Sequence, residues 1–559
     1  MQPRVSRARL VTAGLLVGAL LAACASDGAP DVDAEAAGAD DEQQAAGEPS
    51  GEPRHGGSIA VALEAETAGW APWQDSWANA GSLVSTAFYD RIAGRDEDGQ
   101  VQPVLAEAIE PDEDFMAYTI TLREGIEFHD GEPLNAEAVA TNLAKHREPG
   151  SQTASQVAPI EDVVVEDDLT VRIELDQPHV AFADYLVGAV GVVVSPASIE
   201  AETVSEEPVG TGPFVFESWQ RDQQLEVSRN EDYWREGLPY LESVTFRPIP
   251  DEDARLQSLF SGDVDAMQTL RQSIIAQARE RDDEFNLYED MGNNSGATIL
   301  NTAVPPFDDE RVRRAWAHAI DQEELIAVLG GTGISPASKG LFNPESPWFV
   351  DEMEDIWPSE DLEQAQEYAD DYINDPDRSD GEEPGTPIRF DFDTQPDPSL
   401  LETSSVYQAQ VERVGLEMNI ETVEQAVHIQ EAVGEPPEFE GQYQAKIFRM
   451  GLESDPDWMV PYFAEGSPQN FTNYNNEEMF GLLIQARQTP DVDERRELYH
   501  QVQQILAEDV PFTLTGHTAS MIGTAGDVYG LDGWELPDGD DGVGHPEAIA
   551  RWHSVWRDQ

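Results

Sequence analysis

In 559 residues the chain carries 111 Asp and Glu against 32 Lys and Arg, a formal charge of −79. Such a surface repels phosphate backbones and anionic lipid headgroups, so nucleic acid as a general partner and membrane attachment through a basic patch are both excluded. The length exceeds what one hydrophobic core organises, so two or three lobes are expected. Lysine is confined to Lys145, Lys339 and Lys446, and acid enrichment with scarce lysine predicts a surface adapted to high external salt, where screening removes self-repulsion.

The first element is an apolar run, Leu10 to Ala23, preceded by Arg4, Arg7 and Arg9. It is shorter than the roughly 20 residues a membrane span needs and fits the apolar region of a signal peptide, residues 1–23. It ends at Cys24, the single cysteine of the chain. Leu21-Ala22-Ala23-Cys24 resembles the bacterial lipobox, which implies lipidation of Cys24 and a lipid anchor on the outer face of the cell membrane. Residues 24–55 follow, rich in Ala, Gly, Pro and acids, with Val32 as their one large apolar residue. That composition cannot offset its own ordering entropy and predicts a flexible tether.

From residue 56 the pattern becomes globular. "GGSIAVALEAE" reads as a strand after a Gly-Gly turn. "ETAGWAPWQDSW" sets Trp70, Trp73 and Trp77 in a polar, turn-rich context, and Thr67 precedes them. "AYTITLREGIEFHDG" alternates at Tyr118, Ile120 and Leu122 and predicts a hairpin. "NAEAVATNLAKHRE" predicts a helix capped by Asn135, and "VVVEDDLTVRIELDQP" a strand, turn and strand. "DDERVRRAWAHAIDQEELIAVLGG" carries the clearest helical period, with Asp308 or Asp309 as cap and Gly330-Gly331 as stop. Residues 375–387 form a polar breaker, a hinge or surface loop. "IRFDFDT" reads as a strand, "LETSSVYQAQVERVGLEMNIETV" as a helix, Gly415 and a strand, and 475–511 as two amphipathic helices. Strands and helices mix throughout, so the class is α/β or α+β.

Chemistry is represented mainly by absences. There is no nucleophile elbow, zinc-protease helix, phosphate-binding loop or dinucleotide fingerprint. The ten histidines include no pair four residues apart, so no metal site, cofactor or catalytic residue is expected. With 111 acids, paired carboxylates carry no information. Aromatics and carboxylates together on loops, at Trp70 and Trp73 and again in "ESDPDWMVPYF" with Trp458, suit a cleft that stacks on a small ligand and pairs with its cationic group.

Four stretches carry a family pattern: "VLAEAIEPDEDFMAYTITLREGIEFHDGEPLNAEAV" (104–139), residues 208–267 from "PVGTGPF" onward, "LNTAVPPFDDERVRRAWAHAID" (300–321), and residues 474–515. Together they resemble the family 5 extracellular solute-binding proteins of ABC importers, the dipeptide- and oligopeptide-binding group. The resemblance implies a bilobal periplasmic-binding-protein-like α/β fold (type II, cluster C) with an extra subdomain. Lobe I would comprise 56–95, 205–285 and a return at 516–559, the extra subdomain 96–204, and lobe II 286–515. It implies a monomer that closes on a small, peptide-like solute and offers it to an ABC permease. His129 and Asp130, like Gly210 and Gly212, are expected to hold turns. In peptide-binding members an aspartate shortly before a D-P-[DE] turn pairs with the ligand's α-amino group. The matching stretch here, "FRMGLESDPDWM", places Leu452 or Glu453 at that position, beside Arg449, Asp455, Asp457 and Trp458. A sugar or other non-peptide ligand in the same fold, and a lipid-anchored cell-envelope hydrolase, remain as alternatives.

Overall fold

The computed structural model describes residues 52–75, 77–344, 346–434, 441–451, 455–544 and 549–558. The apolar leader, Cys24, most of the acidic segment and Glu453 lie outside them. The backbone is organised by a mixed sheet of ten strands. From edge to edge these are Leu416–Thr422, Ile388–Thr394, Ala445–Gly451, Phe285–Leu300, Phe512–Ala525, Ala266–Thr269, Ser58–Leu63, Ser243–Pro248, Gln224–Arg229 and Phe214–Gln220. Ser58–Leu63 is the strand expected after Gly56-Gly57. It runs parallel to Ser243–Pro248 and Ala266–Thr269, and a strand covered on both faces reads as a nearly continuous apolar run. Accordingly Ile59, Val61, Ala62 and Leu63 are all buried.

Two long strands carry the sheet from one half to the other. Phe285–Met291 pairs with Ala525–Ala519, and after a shift of register Ser295–Ile299 pairs with His517–Phe512. On one side of the shift Ala266–Thr269 joins the pair; on the other, Ala445–Gly451 joins it. An irregularity of this kind bends an antiparallel pair and raises its local twist. Each half then buries its own side chains. Leu83, Phe88, Phe246 and Trp552 belong to one core. In the other half, Trp316, Phe390 and Tyr407 form a second core, and Trp348, Met459 and Tyr499 a third. The fold is therefore α/β and bilobal.

A four-stranded antiparallel sheet stands apart from the large one, in the order Ala106–Pro111, Ala117–Leu122, Thr170–Leu175, Ile160–Val165. It packs with the helix Ala136–His146 around Tyr118, Ile120, Leu143 and Phe182. Asn135 caps that helix as expected, accepting from the Ala138 N–H at 2.9 Å. The hairpin expected beyond Leu122 is reduced to one bridge between Glu127 and Pro133. Ala117–Leu122 takes its partners from strands on either side instead, because tertiary pairing buries its alternating apolar face more fully than a local turn would.

The long helix expected after Asp309 is two helices, Glu310–Ala319 and Gln322–Val328. Asp309 caps the first. Asp321 breaks the run by capping the second, accepting from the Glu324 N–H at 2.9 Å. "FHDG" and "GTGPF" interlock: the His129 N–H donates to the Gly210 carbonyl at 2.8 Å, and His129 Nε2 lies 2.9 Å from the Gly212 carbonyl. Gly212 is glycine for want of room, since a Cβ there would stand 2.4 Å from the Phe88 carbonyl carbon.

Candidate ligand-binding site

The expected site residues fall into two groups. The first surrounds the loop after Ser58–Leu63. Thr67 and Trp70 line a mainly apolar pocket of about 310 Å³, open to solvent, together with Gly81, Val84, Trp219 and Phe246. Arg221 holds the loop in place, donating to the Thr67 carbonyl at 3.2 Å and the Ala68 carbonyl at 2.9 Å while lying over the Trp219 ring. Trp70 is a core residue at 2 % exposure. It meets Phe88 edge-on at 5.0 Å and Trp219 at 5.2 Å, and its indole N–H has no acceptor among the described residues. Trp73 is half-buried, edge-on to His146 at 5.9 Å.

The second group lies around Asp455–Trp458. Asp457 is buried to 2 % exposure and is surrounded by three side chains. Arg487 grips it with two hydrogen bonds of 2.7 Å, Tyr185 donates its hydroxyl at 2.5 Å, and His179 Nε2 lies 3.2 Å away. Burial alone would raise the Asp457 pKa, but His179 and Arg487 outweigh it and hold the carboxyl well below the usual range. Asp455 is held by Arg495, whose Nη2 donates to both of its oxygens at 2.8 and 2.9 Å. Burial works against the Arg495 charge, yet Asp455 and Tyr499 overcome it and hold the guanidinium above its ordinary range. Arg495 also lies over the Trp348 ring at 4.9 Å. Asp455 and Asp457, expected at the ligand, thus spend their oxygens within the protein. Trp458 is buried against Tyr462, its indole N–H without an acceptor among the described residues.

Arg449 sits on Ala445–Gly451, opposite Gly296 in the register; its side chain, and all of Glu453, lie outside the described residues. Among the described residues, no hydrogen bond or ring pair joins Trp70 or Trp73 to Asp455–Trp458. Reading the residues alone missed Arg487, Arg495, His179 and Tyr185. The two arginines did leave a signal, because each occupies the apolar stripe of its helix, Arg487 with Met479 and Leu483, Arg495 with Leu498 and Val502. A charge on a core stripe requires a buried partner. No such signal marks His179 and Tyr185, which reach Asp457 from more than 270 residues away in the chain. No group of metal-ligating side chains is present among the described residues, and no described helix is long and apolar enough to cross a membrane.

The model of bacterial extracellular solute-binding proteins, family 5 middle, matches residues 100–471. The chain belongs to this family. Among curated relatives, the glutathione-binding protein GsiB of Shigella boydii is 27% identical over 453 residues, covering 77% of this chain and 83% of its own. The periplasmic binding protein DppA of Helicobacter pylori, solved with the peptide STSA, superimposes with a TM-score of 0.75 at 21% identity, over 90% of this chain and 99% of its own. AgaA of A. tumefaciens R10, solved with agropinic acid, gives a TM-score of 0.76 at 22% identity over the same shares. The family 5 resemblance read from four stretches is borne out, and this solute-binding protein carries the bilobal fold they implied.

Proposed function

We propose that this family 5 protein captures a small peptide or peptide-like solute outside the cytoplasm and delivers it to an ABC permease. The observation that carries the reading is the family match over residues 100–471, joined to relatives named for glutathione and solved with a peptide. Lobe I is taken as 56–95, 205–285 and 516–559, the extra subdomain as 96–204, and lobe II as 286–515. Solute contacting both lobes favours their approach by the contacts available only when they are closed. The crossing strands Phe285–Leu300 and Phe512–Ala525, with their shifted register, are the natural place to bend. Thr67, Trp73, Arg449 and Glu453 face the solute in this reading, and a Glu453 carboxylate suits an ammonium group. Trp70 and Trp458 back the cleft from the cores. Asp455 and Asp457, gripped by Arg495 and Arg487, hold Asp455–Trp458 in position.

A non-peptide solute is the second reading. It is favoured by the lack of an aspartate at the matching position, which falls on Leu452 or Glu453, and by the equal likeness to AgaA, solved with agropinic acid. Native mass spectrometry of the freshly purified protein separates the two: a co-purified peptide mass supports the first reading, and a carbohydrate or opine mass replaces it by the second.

The outer-face location rests in this proposal on Cys24 as a lipidated residue. Cys24→Ser is expected to release the protein into the medium with its solute occupancy unchanged. A membrane-bound variant, or a released one that has lost its solute, contradicts the anchor as drawn.

A further inference from the structure

A second pocket lies outside the groups described above. Its lining comes from residues 86–104, 233–235 and 534–553, with none from 286–515. Arg91, Arg235 and Arg551 all line it, and among the described residues Asp90 is the one carboxylate that does so. In a chain with 32 basic residues against 111 acidic ones, three guanidiniums around one carboxylate is a local inversion of charge.

Contacts with the described residues offset that inversion only in part. Asp90 is already held, accepting from the Trp234 indole N–H at 2.7 Å and the Tyr233 hydroxyl at 3.2 Å. Arg235 donates to His553 Nε2 at 2.9 Å. A guanidinium can only donate, so that nitrogen accepts and His553 is neutral. Burial, then Arg235 and Arg551, push its pKa well down, in agreement. Arg235 also donates to the Glu535 carbonyl at 2.5 Å. The guanidiniums of Arg91 and Arg551 make no hydrogen bond or ion pair with any described residue, and Arg551 lies 5.2 Å over the Trp534 ring. Burial first, and then the charge on Arg551, bring Arg91 down to about 9, with Asp90 offsetting only part. Among the described residues the lining thus carries about two positive charges in excess, on half-buried groups facing a shared space of about 370 Å³ that includes its mouth.

We propose that this pocket binds a small dianionic oxyanion, of the phosphate or dicarboxylate class, between Arg91 and Arg551. Guanidinium forks match the paired oxygens of such ions, and a partly desolvated charge pair of this kind is favoured well beyond simple screening. Because Arg91 and Arg551 both line the pocket, the ion ties the C-terminal segment to residues 86–104. Its described lining shares no residue with the pocket around Thr67 and Trp70, and the proposal does not depend on the identity of the solute.

The test is thermal unfolding of the full chain at constant ionic strength in chloride, phosphate or malonate. Phosphate or malonate at 10 mM is expected to raise the midpoint by on the order of 2 °C over chloride. A rise with phosphate alone assigns an inorganic ion, and a rise with malonate alone an organic dicarboxylate. In Arg551→Gln, and independently in Arg91→Gln, the rise should vanish while the midpoint in chloride is kept or increased, since each removes a repelling charge. Equal midpoints in the three salts would overturn the proposal. So would a response to phosphate or malonate that survives in both variants.

Discussion

Asp457→Ala is expected to lower the stability of the protein by about 4 kcal/mol, because it strands a buried charge rather than merely deleting a contact. Arg487 is nearly as buried as the carboxylate it grips, with a side chain 7% exposed. Without Asp457 its two donors and the Tyr185 hydroxyl lose this acceptor, and His179 loses the carboxylate beside it. The other bond at this junction, from the Val180 N–H to the Arg487 carbonyl at 2.9 Å, would remain but cannot neutralise the guanidinium. Asp457→Asn keeps the shape and one acceptor, so it should lose roughly half as much. Since His179 and Tyr185 come from 96–204 and Arg487 from 286–515, the loss should also loosen the seam between these segments. Urea unfolding of the two variants against the parent protein decides the matter. Midpoints that coincide with the parent's would show that the network contributes nothing net.

Acidification should be the second large perturbation. His146, His428 and His517 are at most 2% exposed. Burial brings each of them to about 4 from the ordinary 6.5, helped at His428 by the nearby Lys446 charge. The unfolded chain therefore binds more protons than the folded one between these values. The stability these groups contribute is complete above pH 6.5 and is lost as pH falls toward 4, by up to about 3 kcal/mol for each group. Asp90 acts in the opposite sense, since burial raises it to about 6. Its contribution is fully present below about 3.8 and is lost as pH rises through 6. Burial raises buried Asp455 to about 6 as well, against the pull of Arg495, so it acts in the same sense as Asp90. Three histidines still outweigh two carboxylates, so the net change on acidification is a loss. Asp457 stays ionised across this window. Urea midpoints at pH 7, 5.5 and 4.5 should fall in that order; a midpoint that holds or rises on acidification would remove the buried histidines from the account.

How much of this was legible beforehand depends on the range of the forces involved. The caps at Asn135 and Asp309 and the left-handed Gly415 were readable because each involves a backbone group within a few residues. Asp321 had the same local grammar, and the break it causes was missed because the apolar period continues across it. The family, and with it the bilobal fold, was legible in short stretches whose residues hold turns, as His129 and Gly212 do.

What the amino-acid order settled by itself, then, was composition, local geometry and family: an acidic chain with one cysteine, capped helices, a strand after Gly56-Gly57, and signature turns. Only the tertiary structure decided which charges meet. Asp455 and Asp457 look in sequence like ligands for an incoming cation, and folding gives them Arg495 and Arg487 first. Arg91 and Arg551, separated by most of the chain, come to face one pocket in which Asp90 is the single carboxylate among the described lining residues. The physical reason is common to both cases: a buried charge is stabilised or stranded by neighbours within a few ångströms, and which residues become neighbours is set by the packing of the whole molecule.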